Sequence, residues 1–323
     1  MDSHPPPSGS ARFSVTAPVS TALDWTGRVL FRPFDLGKWF ALGFCAWLAW
    51  IGQHGGGVGA NWRVPSGADG GLSRASQWVQ DHLALFVVLV ALALIVAIAF
   101  TLLCTWLSSR GKLMFLDGVV HDRGAVVEPW HRYREQGDSL FGFRVVVGSI
   151  CLVVLGILIG SMVALLVALD FDHDPGLATI LAISGFVLVL LLPVLVLMGL
   201  VGVAINDLVV PIQWVRGCRA TAAWTEACGL IARHAGTFVR YALLKLLLAL
   251  VIVFISCCLV CVTCCIAGLP YIGTVILLPL YVFGRSYSLH FLSQLGPDYA
   301  ALASRADVPP PTSAATPGGE APA

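Results

Sequence analysis

Five cysteines crowd the stretch "CCLVCVTCC" at residues 257–265. Thiolates ligate zinc and carry redox chemistry, so such a run invites both. On a helix, Cys257, Cys261, Cys264 and Cys265 follow a spacing that puts them on one face, with Cys258 about 100° away. A structural zinc needs four ligands converging tetrahedrally, and one helix face offers about two. No histidine lies on the neighbouring apolar run at matching depth; His290 falls at its far end. Thiolates in hydrocarbon are also costly without their metal, whereas small Cys side chains let helices approach closely. The face is expected to pack, with those four cysteines as the candidate metal set and acylation or redox chemistry as further alternatives. Cys45, Cys104, Cys151, Cys218 and Cys228 are scattered, and none falls in an outer aqueous loop, so no disulfide framework is expected.

Other stretches could hold ions. "DFDHDP" sets Asp170, Asp172 and Asp174 at alternate positions around His173, and oxygen ligands so spaced can hold a divalent cation weakly. The plain reading is a short solvated turn. "QHGGGVGANWRVPSGADGGLSR" is rich in glycine but lacks the lysine of a phosphate loop and follows no strand. "NDLVVP" places Asn206 and Asp207 where an apolar run ends, with Arg216 or Arg240 as expected partners for Asp207, or a capping role on the next helix. His121, Asp122, Glu128, His131 and Glu135 form a loose acid–base group that reads as a solvated face. No nucleophile elbow or HExxH motif is present. No enzyme activity and no cofactor are expected.

The elements that carry these residues are dictated by composition. The 323 residues are 58% hydrophobic and 11% charged, far below the roughly 25% charge of soluble domains. Several uncharged runs pass the length of about 20 residues that crosses a bilayer as a helix. The expected fold is all-α: a polytopic membrane bundle over residues 18–300 with three cytoplasmic interfacial helices and about six spans, near 34–52, 83–107, 145–169, 177–205, 246–268 and 270–284. Pro193 would kink the fourth span, and the sixth could continue through "RSYSLHFLSQL" along the membrane surface. Residues 1–17 and 301–323, rich in Pro, Ser, Ala and Gly, are expected to be disordered tails. The first residues show no cleavable signal pattern, so the first span is expected to direct insertion.

Lysine and arginine set the orientation, because basic segments stay in the cytoplasm. Seventeen of the 19 fall on one side of these spans; Arg63 and Arg74 fall on the other. Both termini are therefore expected in the cytoplasm of an inner (plasma) membrane protein. Arg28, Arg32, Lys38, Arg144, Arg240, Lys245 and Arg285 become candidates for anionic lipid head groups. Arg144, Arg240, Lys245 and Arg285 stand at span ends, where their stems can lie along lipid and their heads reach phosphates. The alternative is a water-filled path lined by Arg240 and Lys245. A net charge of +1 with no basic stripe argues against nucleic-acid binding.

Three similar segments precede the odd-numbered spans: "WTGRVLFRPFDLGKWF", "WHRYREQGDSLFGF" and "WTEACGLIARHAGTFV". Trp25 and Trp224 are each followed by Thr, by a glycine twelve residues on (Gly37, Gly236) and by an aromatic at fourteen (Trp39, Phe238); Trp130 with Gly137 and Phe141 is a looser copy. The pattern is consistent with three repeats of one unit. "STALDWTGRVLF" reads as an amphipathic helix, with Thr21 and Asp24 at capping-box spacing. Val19, Ala22, Leu23, Thr26, Val29 and Leu30 would face acyl chains.

The stretches "LFRPFDLGKWFALGFCAWL", "SRGKLMFLDGVV", "PWHRYREQGDSLFGFR", "NDLVVPIQW" and "LPLYVFGRSYSLHFLSQLGPDY" resemble a bacterial family of multi-pass membrane proteins whose function is not known. The likeness covers most of residues 20–300. It extends more distantly to the membrane domains found beside glycerophosphodiester phosphodiesterases. The resemblance implies the membrane architecture and supplies no catalytic residue. A lipid-interacting or scaffold module is the expected role, with membrane lipids, other membrane proteins or a second copy as partners. A small transporter or channel is the alternative, and a lipid-modifying enzyme a more remote one.

Overall fold

The computed structural model of the protein describes residues 14–51, 80–168, 177–263, 269–296 and 298–299. The longer regular elements among them are all helical. In chain order they are α1 (Ala17–Phe31), α2 (Leu36–Ile51), α3 (Leu83–His121), α4 (Val127–Arg132), α5 (Arg134–Ala168) and α6 (Leu177–Ala204). A π-helical turn (Ile205–Val209) then leads into α7 (Val210–Arg216), α8 (Ala220–Arg233), α9 (Ala235–Val262), α10 (Pro270–Ile276) and α11 (Leu278–Ser293).

Long runs of Leu, Val, Ala and Ile make α3, α5, α6 and α9 helical and apolar on every side, as helices in lipid are. The 39 residues of α3 extend about 58 Å at 1.5 Å per residue. Four segments are long and apolar enough to cross a membrane: α3, α5, the run from α6 through α7, and α9. That is fewer than the six expected. The expected first span is α2, whose 16 residues reach about 24 Å, short of a hydrocarbon core of about 30 Å. The expected sixth is broken after Ile276 into α10 and α11, where Pro279 has no backbone N–H to continue the ladder.

The core lies at one end. Buried residues come from α1 (Ala22, Val29, Leu30), α2 (Leu42, Cys45, Ala46), the C-terminal third of α3 (Leu113 to Val120), the π turn with α7 (Ile205 to Ile212), and α11 (Leu278 to Leu292). The other ends of the long helices are bare: Ile95, Leu152, Val189 and Phe254 are each more than 60% exposed. These shafts rise together from a packed knot, since α2 and α5 both run antiparallel to α3. Ser108 Oγ donates to the Ala49 carbonyl at 2.7 Å, Leu42 meets Gly118, Arg110 reaches Asp138 and Arg144 reaches Thr105.

Several local expectations change in this packing. The apolar face of α1 is covered by α11 rather than turned to acyl chains: Ala22, Val29 and Leu30 are fully buried and Trp25 nearly so. The Thr21 capping box does not form, because α1 begins four residues earlier and Thr21 donates back to the Ala17 carbonyl at 3.4 Å. Ser14 and Val15, placed in the expected tail, are tied to α11: the Ser14 N–H donates to Gln294 Oε1 at 3.1 Å and Tyr287 donates to the Val15 carbonyl at 3.2 Å. The C-terminal half of α11 packs into the interior, with Tyr287, Phe291 and Leu292 buried. Residues 1–13 and 300–323 fall outside the described residues.

The three similar segments run from α1 into α2, from α4 into α5 and from α8 into α9. Their glycines differ in role. A Cβ at Gly137 would meet Arg110 Cγ at 2.7 Å, whereas one at Gly236 meets nothing within 4 Å. The tightest approach is at Gly111, where a Cβ would stand 2.6 Å from backbone atoms of Leu48 and Ala49. Gly111→Ala is expected to wedge α2 from α3 and destabilise the fold by about 1–3 kcal/mol. Gly142→Ala, with nothing within 4 Å, should be neutral or stabilising by up to about 1 kcal/mol. Thermal unfolding of the two variants in one detergent checks the contrast; equal midpoints would show that the α2–α3 contact is loose.

Candidate functional site

Where the shafts meet the knot, six elements, α6 among them, leave a cavity of about 650 Å³. Its floor is polar. Asn206 and Asp207 come from the π turn, Lys112 from α3, Lys245 from α9, and Arg285 and Tyr287 from α11. Its walls are apolar, including Trp50, Phe115, Leu248, Ile252, Leu280 and Phe283.

The π turn creates the floor. The Val210 N–H bonds the Ile205 carbonyl, five residues back. In that register the next donor would serve the Asn206 carbonyl, but the next residue is Pro211, which has none. Arg285 Nη1 donates to the Asn206 carbonyl instead. The widened turn also sets two adjacent side chains to use. The Asn206 amide oxygen accepts from Lys112 Nζ. The Asp207 carboxylate accepts from Tyr241 at 2.8 Å and pairs with Lys245 at 3.0 Å. Lys245 also donates to the Gly284 carbonyl at 3.3 Å. Tyr241 stacks on Tyr287 with ring centroids 5.5 Å apart, and on Phe291.

The charges do not balance. Three cations line the cavity and one carboxylate answers them. Lys112 and Asp207 are each 6% exposed. Arg285 Nε and Nη2 are buried and have no hydrogen-bond partner among the described residues. A second, smaller cleft of about 290 Å³ lies between α5 and α6, with Arg144 at its base. The Arg144 guanidinium is held by neutral oxygens, Ser108 and Ser109 Oγ at 3.1 Å each and the Thr105 carbonyl at 3.4 Å.

The seven head-group candidates thus divide. Arg28, Arg32 and Arg240 are exposed. Lys38 reaches across to Asp122 at 2.5 Å. Burial pushes the Asp122 carboxyl up from its usual range, and Lys38 offsets part of that. Arg144, Lys245 and Arg285 turn inward onto neighbouring helices rather than out along lipid. Lys245 lines the cavity and Arg240 does not. Lys112 was counted only as a topological charge; its place beside Asn206 depends on a contact 94 residues away, which no local pattern announces. The expected partners of Asp207 are engaged elsewhere or absent: Arg216 pairs with Glu226 at 2.8 Å and Asp298 at 3.2 Å. Burial and Glu226 raise the nearby Tyr299 hydroxyl to about 12.

Three of the five residues of the loose acid–base group, His121, Asp122 and Glu128, are drawn into ion pairs. Glu128 pairs with Arg123 at 2.9 Å, and His121 with the fully buried Asp117 at 3.0 Å. Asp117 also accepts from Tyr133 at 2.7 Å and Arg123 at 2.9 Å. Cys257, Cys258 and Cys261 are exposed on the α9 shaft. Cys264 and Cys265 lie outside the described residues, as do Asp170, Asp172 and Asp174. Among the described residues no three His, Cys, Asp or Glu side chains group to hold a metal.

Helices and cavity together define an all-helical protein with four helices able to cross a membrane by length and composition. The chain belongs to the family of unknown function DUF7544, whose sequence profile matches residues 14–280. That stretch includes Lys112, Asn206, Asp207 and Lys245; Arg285 follows it. No curated protein and no solved structure matches the chain.

Asp207 is the negative charge among the cavity's cations, so Asp207→Asn should destabilise by about 3–5 kcal/mol, as removal of one member of a buried ion pair does. Tyr241→Phe removes one hydrogen bond to a charged group and should cost about 1.5–3 kcal/mol. Unfolding midpoints of the two variants in the same detergent check this order.

Proposed function

We propose that the protein is a non-enzymatic integral protein of the inner (plasma) membrane, crossing it about six times with both termini in the cytoplasm, and that it works as a lipid-interacting or scaffold module. The observation that carries this reading is the coincidence of two boundaries. The bare apolar shafts begin where the knot ends, and the basic residues collect at that level. In a bilayer the shafts would lie in hydrocarbon, and Arg28, Arg32 and Arg240 would meet anionic head groups. Cytoplasmic leaflets attract such residues with about 1 kcal/mol each.

Partner helices also have room. A Cβ at Gly148, Gly156 or Gly160 of α5 meets nothing within 4 Å, and glycines on a lipid-facing helix allow close approach by another membrane helix or a second copy. The transporter reading draws support from the cavity, but the shafts above it offer little polar lining. Thr101 and Ser161 are exposed and their hydroxyls donate to their own helices. The enzyme reading has no unengaged acid–base pair to rest on among Asp122, Glu128 and His121.

Spin-labelled lipids at the protein surface test the proposal. In bilayers mixing phosphatidylglycerol and phosphatidylcholine, the surface layer should be enriched in phosphatidylglycerol, and added salt should weaken the enrichment. Replacing Arg28, Arg32 and Arg240 with Ala should lower it by about fivefold or more, given about 1 kcal/mol per residue. Equal labelling by both lipids in the wild type would end the reading.

A further inference from the structure

We infer that the cavity is a binding site for one anionic phospholipid, its phosphate on Arg285, Lys245 and Lys112 and an acyl chain along α9 toward Ser256. This rests on the proposal that the chain sits in a bilayer, and it adds a specific internal site to the surface contacts argued above.

Charge comes first. Buried cations are stabilised by anionic partners, because removing a charge from water is costly. Asp207 is already shared between Lys245 and Tyr241. Lys112 and Arg285 are left with neutral oxygens of Asn206, and Arg285 Nε and Nη2 have no partner among the described residues. A guanidinium edge with two unpaired donors, on a residue that lines the cavity, matches the geometry of a phosphate. The unmet requirement is thus for an oxyanion at the floor.

Shape selects the kind of oxyanion. A free phosphate would fill the floor and leave walls of Ile252, Leu280 and Phe283 against empty space. From Lys245 to Ser256 the α9 wall extends about 16 Å, which suits a chain lying parallel to the helix. The volume of about 650 Å³ lies within the usual range for sites that enclose a ligand. The cavity also has a way in. α6 and α9 flank it and make almost no direct contact, and at Gly199 and Gly202 on α6 a Cβ would meet nothing within 4 Å. A lipid can therefore enter sideways from the bilayer between the two shafts, head group leading toward the knot.

Native mass spectrometry of the full chain, released from mixed phosphatidylglycerol and phosphatidylcholine, tests this directly. One phosphatidylglycerol per chain should survive activation that strips other lipids. Gly199→Phe, which fills the cavity from α6, and Ile252→Trp, which fills it from α9, should each reduce that adduct to background while keeping the wild-type unfolding profile. Replacing Arg28 and Arg32 with Ala should leave it in place. Excess inorganic phosphate should not displace it. Equal retention of the two lipids, or an adduct that persists in both filled variants, overturns the site. Displacement by phosphate would also overturn it, in favour of a free-anion site. If the adduct fails these tests while spin labels still show surface enrichment, the inference falls alone; if enrichment is absent as well, the membrane-lipid proposal falls with it.

Discussion

Pro211 has no amide hydrogen to give, and the basic knot is arranged around the carbonyl that this leaves open. Inside a protein a peptide oxygen without a donor costs as much as a lost hydrogen bond. Arg285 supplies the donor from α11, which draws a cation into the interior. The same turn presents Asp207, which holds Lys245 and Tyr241, and Asn206, which holds Lys112. One break in helical register therefore ties α3, α9 and α11 to the end of α6. π turns often mark functional positions in helices, and here the turn does two jobs at once: it closes the knot and concentrates charge at the base of a cavity.

Packing is as unevenly distributed as charge. Gly111 lets α2 lie against α3 at backbone distance, Gly118 makes room for the Leu42 side chain, and Ser108 adds a hydrogen bond across the contact. Above that level the helices have little to hold them together within the chain. Leu and Val on the shafts gain nothing from packing on each other in lipid, which is as apolar as they are. Where polar groups occur, hydrogen bonds and ion pairs bind the helices; where only apolar side chains occur, the surface is left bare.

The sequence announced its long helices plainly, because runs of Leu, Val and Ala past bilayer length have few other structures open to them. The helices α1, α4 and α8 were legible from Trp-led amphipathic patterns. What lay against those patterns was not. The apolar stripe of α1 looks the same whether lipid or α11 covers it, and an arginine at a span end looks the same whether it turns outward, as Arg240 does, or inward, as Arg285 does. "NDLVVP" signalled the end of a span, but the partners of Asp207 lie 34 and 38 positions away, beyond any local rule. The proline five residues after Asn206 was the available signal, and its meaning depends on a π register that composition does not specify.

The cations of the knot also show what a purely structural charge looks like here. Arg110 sits between Trp106 and Trp130, 4.3 and 5.0 Å from their ring centroids, and grips Asp138 with two contacts at 2.8 and 3.0 Å. Arg123 has both Asp117 and Glu128. Lys38 has Asp122. Each of these faces a carboxylate with good geometry, so nothing is left for a ligand to satisfy. Lys112 lies two residues from Arg110 on the same helix, yet it and Arg285 meet neutral oxygens beside an open, apolar-walled space. Arg110, Arg123 and Lys38 are answered by acids, whereas Lys112 and Arg285 keep neutral oxygens beside a cavity, a positive charge that a bound anion would answer. On the proposed bilayer placement the opening between α6 and α9 faces the shafts, so such an anion would carry an apolar part.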